Sequence, residues 1–471
     1  LNSALALQPN SGVLLLTLGD LQFRQGKIPD AERSYIKAQN LDSKDAAAYI
    51  GLTRIYRAYS LYRHAYDEMQ RAHQIAPGDI AVQLLWADTL PAPDKISTIK
   101  AYLAGPGAQY PQVARVLQQV LEILQQNADV PQHSCKLVSN VQETNTKLYS
   151  IAKSGMQLGA VGLTAKLNKE ELHLAVDTGA SGILIGRLAA EKAGLKRLTS
   201  QQIAGLGDTG QQGGYTAVAD RIRVGDLEFE DCVVRVTDAA TPVTGQDGLI
   251  GTNVFGSYLI DLDIPGARLR LSPLPKRPNE AAAPPSLQTM QESSSAAADS
   301  PAAVASQQAS AGTVSATLPQ DAYVAPEMAE WTKVYRFKHL LLVPTKVDRI
   351  GPMLFVLDTG SSTNVLSTRA ARAVTDVKAD TGTHIKGLSG SVANVYRADK
   401  AALWFGRYEQ PNQDIITLDL ASMCKQTGTE VSGILGFAML RILQVQIDYR
   451  DGLVNFIYDP NRLPKGLRIN Q

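Results

Sequence analysis

One pattern is written twice in this chain, and that constrains its fold more than any other feature. Asp177 and Asp358 stand 181 positions apart, and the same offset relates Tyr215 to Tyr396 and Gly225 to Gly406, while Gly205 and Gly387 differ by 182. After a four-residue insertion the offset becomes 185, carrying GLIG at 248 onto GILG at 433, Asp263 onto Asp448 and Leu269 onto Val454. Chance does not hold register over so many positions, so residues 145–274 and 326–465 are two homologous units. Both read as short alternating strands, for example LHLAV, RIRVGDLEFEDCVVRV and ARLRLS in the first and KVYRFKHLLLVPTKVD in the second. An all-β pair is expected.

The tripeptide DTG occurs four times, and context separates the copies. Asp177 and Asp358 follow apolar strands (LAV, FVL) and precede small-residue turns and further apolar runs (ASGILI, SSTNVL), which puts each carboxylate at the tip of a buried strand. Asp208 and Asp380 sit among Gly, Gln, Lys and Thr and do not correspond under the offset; they read as ordinary turns. GLGDTG at 205 also fits the dinucleotide fingerprint GxGxxG. That motif has meaning only between a strand and a helix, and the next stretch, QQGGYTAVADRIRV, reads as hairpin and strand.

The rest of the chain is different in kind. LQPNS at 7, LDSKD at 41 and IAPGD at 75 recur at a period of 34, as do Ala4, Ala38 and Ala72, and Ala31 with Ala65. The small residues let paired helices approach, with Leu18, Tyr35, Leu52, Tyr56 and Met69 filling the space between them. This stretch resembles the tetratricopeptide repeat over about residues 1–90, and QVARVLQQVLEILQQ is expected to cap the stack, so residues 1–128 form a helical repeat domain offering a surface to a protein ligand. Residues 276–319 are rich in Pro, Ala, Ser and Gln and cannot bury enough apolar surface to order, so 275–325 is expected to be a flexible linker. A coil of those 44 residues reaches about 35 to 40 Å, enough for the two β units to meet.

Composition excludes several classes. At 471 residues the chain exceeds one core. With 46 basic and 45 acidic residues the net charge of +1 gives no footprint for nucleic acid or an anionic membrane. The apolar runs GVLLLTL and HLLLVP are far shorter than a membrane span. Six scattered histidines show no ligand spacing, so neither a metal nor a cofactor is expected. The three cysteines Cys135, Cys232 and Cys424 lack CxxC spacing and are read as buried or idle thiols. The chain starts at Leu1, so a removed export signal would leave no trace, and export stays open.

A strand ending in D-T-G-[AS]-S, with an apolar-apolar-Gly segment 70 to 80 residues later, twice in one chain, resembles the aspartic peptidases. The likeness is to bacterial retropepsin-like proteins and covers both β units. It implies a catalytic pair, Asp177 and Asp358, one from each unit, and a peptide or protein substrate between them. Two carboxylates about 3 Å apart repel by roughly 5 kcal/mol at an effective dielectric near 20, about four pKa units. They therefore share one proton, the ionised member activating water and the protonated member hydrogen-bonding the scissile carbonyl.

By the same resemblance, Thr178 and Thr359 lock the two loops together across a pseudo-twofold axis, and Gly179 and Gly360 permit close backbone approach. Ala180 and Ser181 in one loop, and Ser361 and Ser362 in the other, complete the support. A Ser361 hydroxyl donating to Asp358 would leave the proton on Asp177. Gly205 to Tyr215 and Gly387 to Tyr396 are the expected flap hairpins, although both tyrosines read equally well as strand packing. The arginine that retropepsins usually carry soon after the second glycine motif is missing from GTNVF and GFAML. The alternative to a peptidase is a noncatalytic protein-binding scaffold with pseudo-protease lobes. A pair formed between chains is the alternative to one formed within a chain, and a bacterial envelope location is what the resemblance implies.

Overall fold

The computed structural model describes residues 1–90, 92–128, 133–153, 157–203, 212–240, 242–243, 245–278, 286–288, 320–383, 385–387, 390–392 and 394–462. These form two compact units. One is helical and holds residues 1–132, with 292–322 and 423–430; the other holds 133–291, 323–422 and 431–471.

In the helical unit the 34-residue period is visible in the caps. Helices Gly12–Arg24, Ala46–Ala58 and Ile80–Thr89 begin after Ser11, Asp45 and Asp79, each of whose side chains accepts a hydrogen bond from a backbone N–H of the first turn. The alternating helices Ile28–Leu41 and Tyr62–Ile75 also start one period apart. Ala31, Ala38, Ala65 and Ala72 are buried at the crossings. The Tyr35 ring lies where a Cβ on Gly19 or Gly51 would sit, which explains both glycines. Tyr35, Leu52 and Met69 are core residues as expected, whereas Leu18 and Tyr56 are only half-buried and Leu15 and Ile55 take the inner places. Helix Pro111–Ala128 buries Val113, Leu117, Val120, Leu121 and Leu124, a single apolar stripe. No helix among the described residues is long and apolar enough to cross a membrane.

Parts of the expected linker are fixed in place. Asp321 joins the helical unit, where its carboxylate accepts from the backbone N–H of Arg63 (2.9 Å) and His64 (3.2 Å), capping a helix whose own N-cap, Leu61, has no capping side chain. In the β unit, Leu287 is 3% exposed in the core and its N–H donates to Cys135 O. Arg277 pairs with the buried Asp451. Apolar or charged anchors therefore interrupt the Ala/Ser-rich composition, and residues 279–285 and 289–319 lie outside the described residues.

The β unit repeats one topology. Strand Glu170–Asp177 runs parallel to Gly248–Gly251, which is antiparallel to Ile183–Gly186, itself parallel to Leu227–Thr237. In the second half, Ile350–Asp358 is parallel to Gly433–Gly436, which is antiparallel to Val365–Ser367, itself parallel to Tyr408–Leu418. The halves are zipped together where Tyr258–Asp263 pairs antiparallel with Leu443–Asp448. There Ile260 faces Ile447 and Leu262 faces Val445, pairs that exchange under the 185 offset. Their side chains belong to one continuous core with Val176, Phe355 and Leu357.

Two cysteines are not idle thiols. Cys135 and Cys232 form a disulfide that ties the entry of the β unit to strand Leu227–Thr237, while Cys424 remains a thiol. At a sequence separation of 97, no local spacing announced the partnership.

Candidate active site

Asp177 and Asp358 are each the last residue of a strand, paired with the terminal glycine of its parallel neighbour, Gly251 and Gly436. Those glycines are needed, because a Cβ on Gly251 would strike the Ala180 carbonyl and one on Gly436 would strike the Thr363 carbonyl. Just beyond the strands, the loops exchange hydrogen bonds. Thr178 N donates to Thr359 Oγ1 (3.0 Å) and Thr359 N to Thr178 Oγ1 (2.9 Å). Each hydroxyl then donates to the opposite strand, Thr178 to Leu357 O and Thr359 to Val176 O, both at 2.8 Å. Both threonines are 1% exposed, so every one of these groups is satisfied away from water.

This clasp brings the carboxyl groups together. A Cβ on Gly179 would lie 2.6 Å from Asp358 Cγ, and one on Gly360 would meet the Asp177 carboxyl, so the glycines make room for the opposite aspartate. The Gly179 N–H donates to Asp177 Oδ1 (2.8 Å), while Gly360 N–H (2.9 Å) and Ser361 N–H (3.1 Å) donate to Asp358 Oδ1. Both aspartates keep some accessible surface, as a reacting group needs.

Burial raises both carboxyls. Asp177 is held well above the usual range by burial, by the Asp358 charge and by a hydrogen bond to Asp358. Asp358 is raised by burial, but the N–H of Ser361, the bond from Asp177 and the N–H of Gly360 favour its ionised form. The Ser361 and Gly360 N–H groups thus favour the ionised form at Asp358, while the titration belongs to the pair. The cause differs from the expected one: the Ser361 hydroxyl donates to Thr363 O at 2.9 Å, and it is the Ser361 peptide N–H that reaches Asp358.

The other expected positions separate. Ser181 is buried, and Asn253 accepts from the neighbouring Gly182 N–H. Ala180 and Ser362 are half-buried in their loops. Gly387 pairs with Gly390 in a short hairpin, while Gly205 and Asp208 lie outside the described residues. Tyr215 and Tyr396 are ladder residues facing Val236 and Thr417, and the Arg197 guanidinium covers the Tyr215 ring at 4.5 Å. Asp380 is a turn residue: its carboxylate accepts from Thr383 and Arg397, which lower it to about 2.

Several contributors carried no sequence signal of their own. Asn364 accepts from Gly436 N–H and donates to Gln410 and Asn412, holding the Asp358 loop to two strands. Tyr449, fully buried, shares a 2.7 Å hydrogen bond with Thr252 from the other half. Arg235 and His339 touch the Asp177 loop. A polar residue inside an apolar run, as in STNVL, was the one available hint. Among the described residues no group of three His, Cys, Asp or Glu is placed to hold a metal ion.

Residues 163–254 match the family of aspartyl proteases. No curated protein matches the chain. Among solved structures, the aspartic proteinase from Irpex lacteus is similar at 11% identity and a TM-score of 0.39, covering 68% of this chain and 98% of that one. The match to the protease family spans the Asp177 strand, its loop and GLIG.

Proposed function

We propose that this chain is an aspartic endopeptidase in which two retropepsin-like lobes of one chain form a single catalytic pair, Asp177 and Asp358. The observation that carries the proposal is the reciprocal Thr178–Thr359 clasp, which sets two raised carboxyls against each other. Asp358, ionised, takes a proton from the attacking water, and Asp177, protonated, donates to the scissile carbonyl. The Gly179 N–H holds Asp177 Oδ1 and the Gly360 and Ser361 N–H groups hold Asp358 Oδ1, which orients both side chains before substrate arrives. An extended peptide lies between the lobes, with the Gly387 hairpin as a covering flap. The tetratricopeptide-like helices present or orient a protein substrate. The disulfide supports an oxidising location such as a bacterial envelope.

Cleavage of a diverse peptide pool by the intact chain from pH 3 to 7 tests this. The expected result is a bell-shaped rate profile in which the monoanionic pair is the active form. An intact, folded chain that cuts nothing across that range contradicts the proposal and favours a binding scaffold.

A further inference from the structure

The two aspartate loops are held from different places. The Asp358 loop is held within its own half: Asn364 accepts from Gly436 N–H (2.9 Å) and donates to Gln410 (2.8 Å) and Asn412 (3.1 Å), and Phe437 N–H donates to Ser361 O (2.7 Å). The Asp177 loop leans on the stretch that follows GLI. Gly251 N–H donates to Gly182 O (2.8 Å), and Gly182 N–H donates to the Asn253 side-chain oxygen (3.0 Å). Gly251 is the ladder partner of Asp177, and Asn253 belongs to the 3-10 turn Thr252–Phe255.

That turn is tied to the second half. Thr252 Oγ1 and Tyr449 Oη share a 2.7 Å hydrogen bond, and the two residues are 0% and 1% exposed, so water cannot stand in for either hydroxyl. Tyr449 follows strand Leu443–Asp448, and its carbonyl accepts from Arg336 Nη1 at 3.2 Å, which anchors the tyrosine in turn. Under the 185 offset Thr252 corresponds to Phe437 and Tyr449 to Ile264, both buried and neither with a hydroxyl. The bond is therefore made on the Asp177 side alone. It also stands at the start of GTNVF, the stretch without the expected arginine.

We infer that Tyr449 is a positioning residue for the Asp177 loop: its hydroxyl holds Thr252, Thr252 fixes the turn, and Gly251 and Asn253 hold Gly182. The inference rests on the aspartic peptidase reading. The first half's catalytic loop is thus set by the second half, whereas the Asp358 loop is set from within its own. Without the phenol hydroxyl, the Thr252 hydroxyl is left buried without that bond, and the turn shifts to satisfy it. The shift passes through Asn253 and Gly251 to the loop that carries Asp177.

The test uses the full chain with Tyr449→Phe, Thr252→Val, both together, and Thr252→Ser. Hydrogen exchange read by mass spectrometry compares residues 178–186 with residues 359–367, and kcat and KM are measured for one peptide alongside. Tyr449→Phe and Thr252→Val are each expected to speed exchange in 178–186 by about tenfold and to leave 359–367 unchanged. They are also expected to lower kcat by about tenfold with KM unmoved. The double variant should lose no more than either single one, and Thr252→Ser, which keeps the hydroxyl, should match wild type. If Tyr449→Phe does not fold, Thr252→Val against Thr252→Ser decides. Equal loosening of both loops would make the bond a plain fold contact and overturn the inference. Unchanged exchange, additive losses in the double variant, or a loosened first loop with kcat unmoved would also overturn it. Exchange needs no turnover, so it decides the inference even where absent cleavage has overturned the peptidase reading alone.

Discussion

Thr178 and Thr359 each donate a backbone N–H to the other's hydroxyl, at 3.0 and 2.9 Å, and each hydroxyl donates onward to the opposite strand at 2.8 Å. Four hydrogen bonds thus close a ring between segments 181 residues apart, in a place where water cannot substitute. Replacing Thr178 by Val keeps the shape but strands Leu357 O and Thr359 N–H. At about 1–3 kcal/mol for each unsatisfied buried group, Thr178→Val is expected to lose about 2 to 4 kcal/mol, read as a lower denaturant midpoint of the β unit. A midpoint within error of wild type would show that the clasp does not hold the halves.

Room for the paired carboxyls comes from Gly179 and Gly360, where a Cβ would land on the opposite aspartate. Gly360→Ala is expected to lower the rate of peptide cleavage by about 100-fold or more, since a displacement near 1 Å at a reacting group costs that much. Far-UV circular dichroism should stay unchanged. Full activity in this variant would place the reacting groups elsewhere.

Acid pH should stabilise the β unit. Burial and the nearby Asp451 raise Asp448 to about 7, above its ordinary value of 3.8, so the folded state binds the extra proton. That stabilisation is complete below about pH 4 and is lost as pH rises through 7, and the raised Asp177 and Asp358 add the same sign. Asp448→Asn mimics the protonated acid and is expected to remove a loss on the order of 2 to 4 kcal/mol between pH 4.5 and 7.5. Urea midpoints at the two pH values check this; a slope equal to wild type would count against it.

Much of the site was legible in the sequence because its chemistry is local. The apolar strand before each Asp177 and Asp358, the glycine after the threonine, and GLIG and GILG all lie within short quotable stretches. The features that escaped depend on segments far apart in the chain. Arg235 reads as one more polar residue on an alternating strand, and nothing near it names Ser181 as its partner. His339 sits 160 positions from Gly179. Composition places Leu287 in a disordered tract because it averages over a window, while one buried leucine suffices to pin a backbone. For Ser361 the sequence suggests a hydroxyl bond to Asp358 where the chain uses the peptide N–H, a choice set by the Thr363 carbonyl.

The Cys135–Cys232 bond closes a loop of about a hundred residues, and such cross-links contribute about 2 to 5 kcal/mol. Reduction, or Cys232→Ala, is expected to lower the stability of the β unit by that amount, measured by denaturation with and without reductant. No difference would mean that the bond constrains nothing beyond its own turn.

The most direct measurement compares cleavage of one peptide by Asp177→Asn, by Asp358→Asn and by an equimolar mixture of the two. If one pair is built within each chain, either substitution abolishes cleavage and the mixture stays inactive. Activity retained by one variant, or recovered on mixing, would contradict a single pair shared by the two halves of one chain.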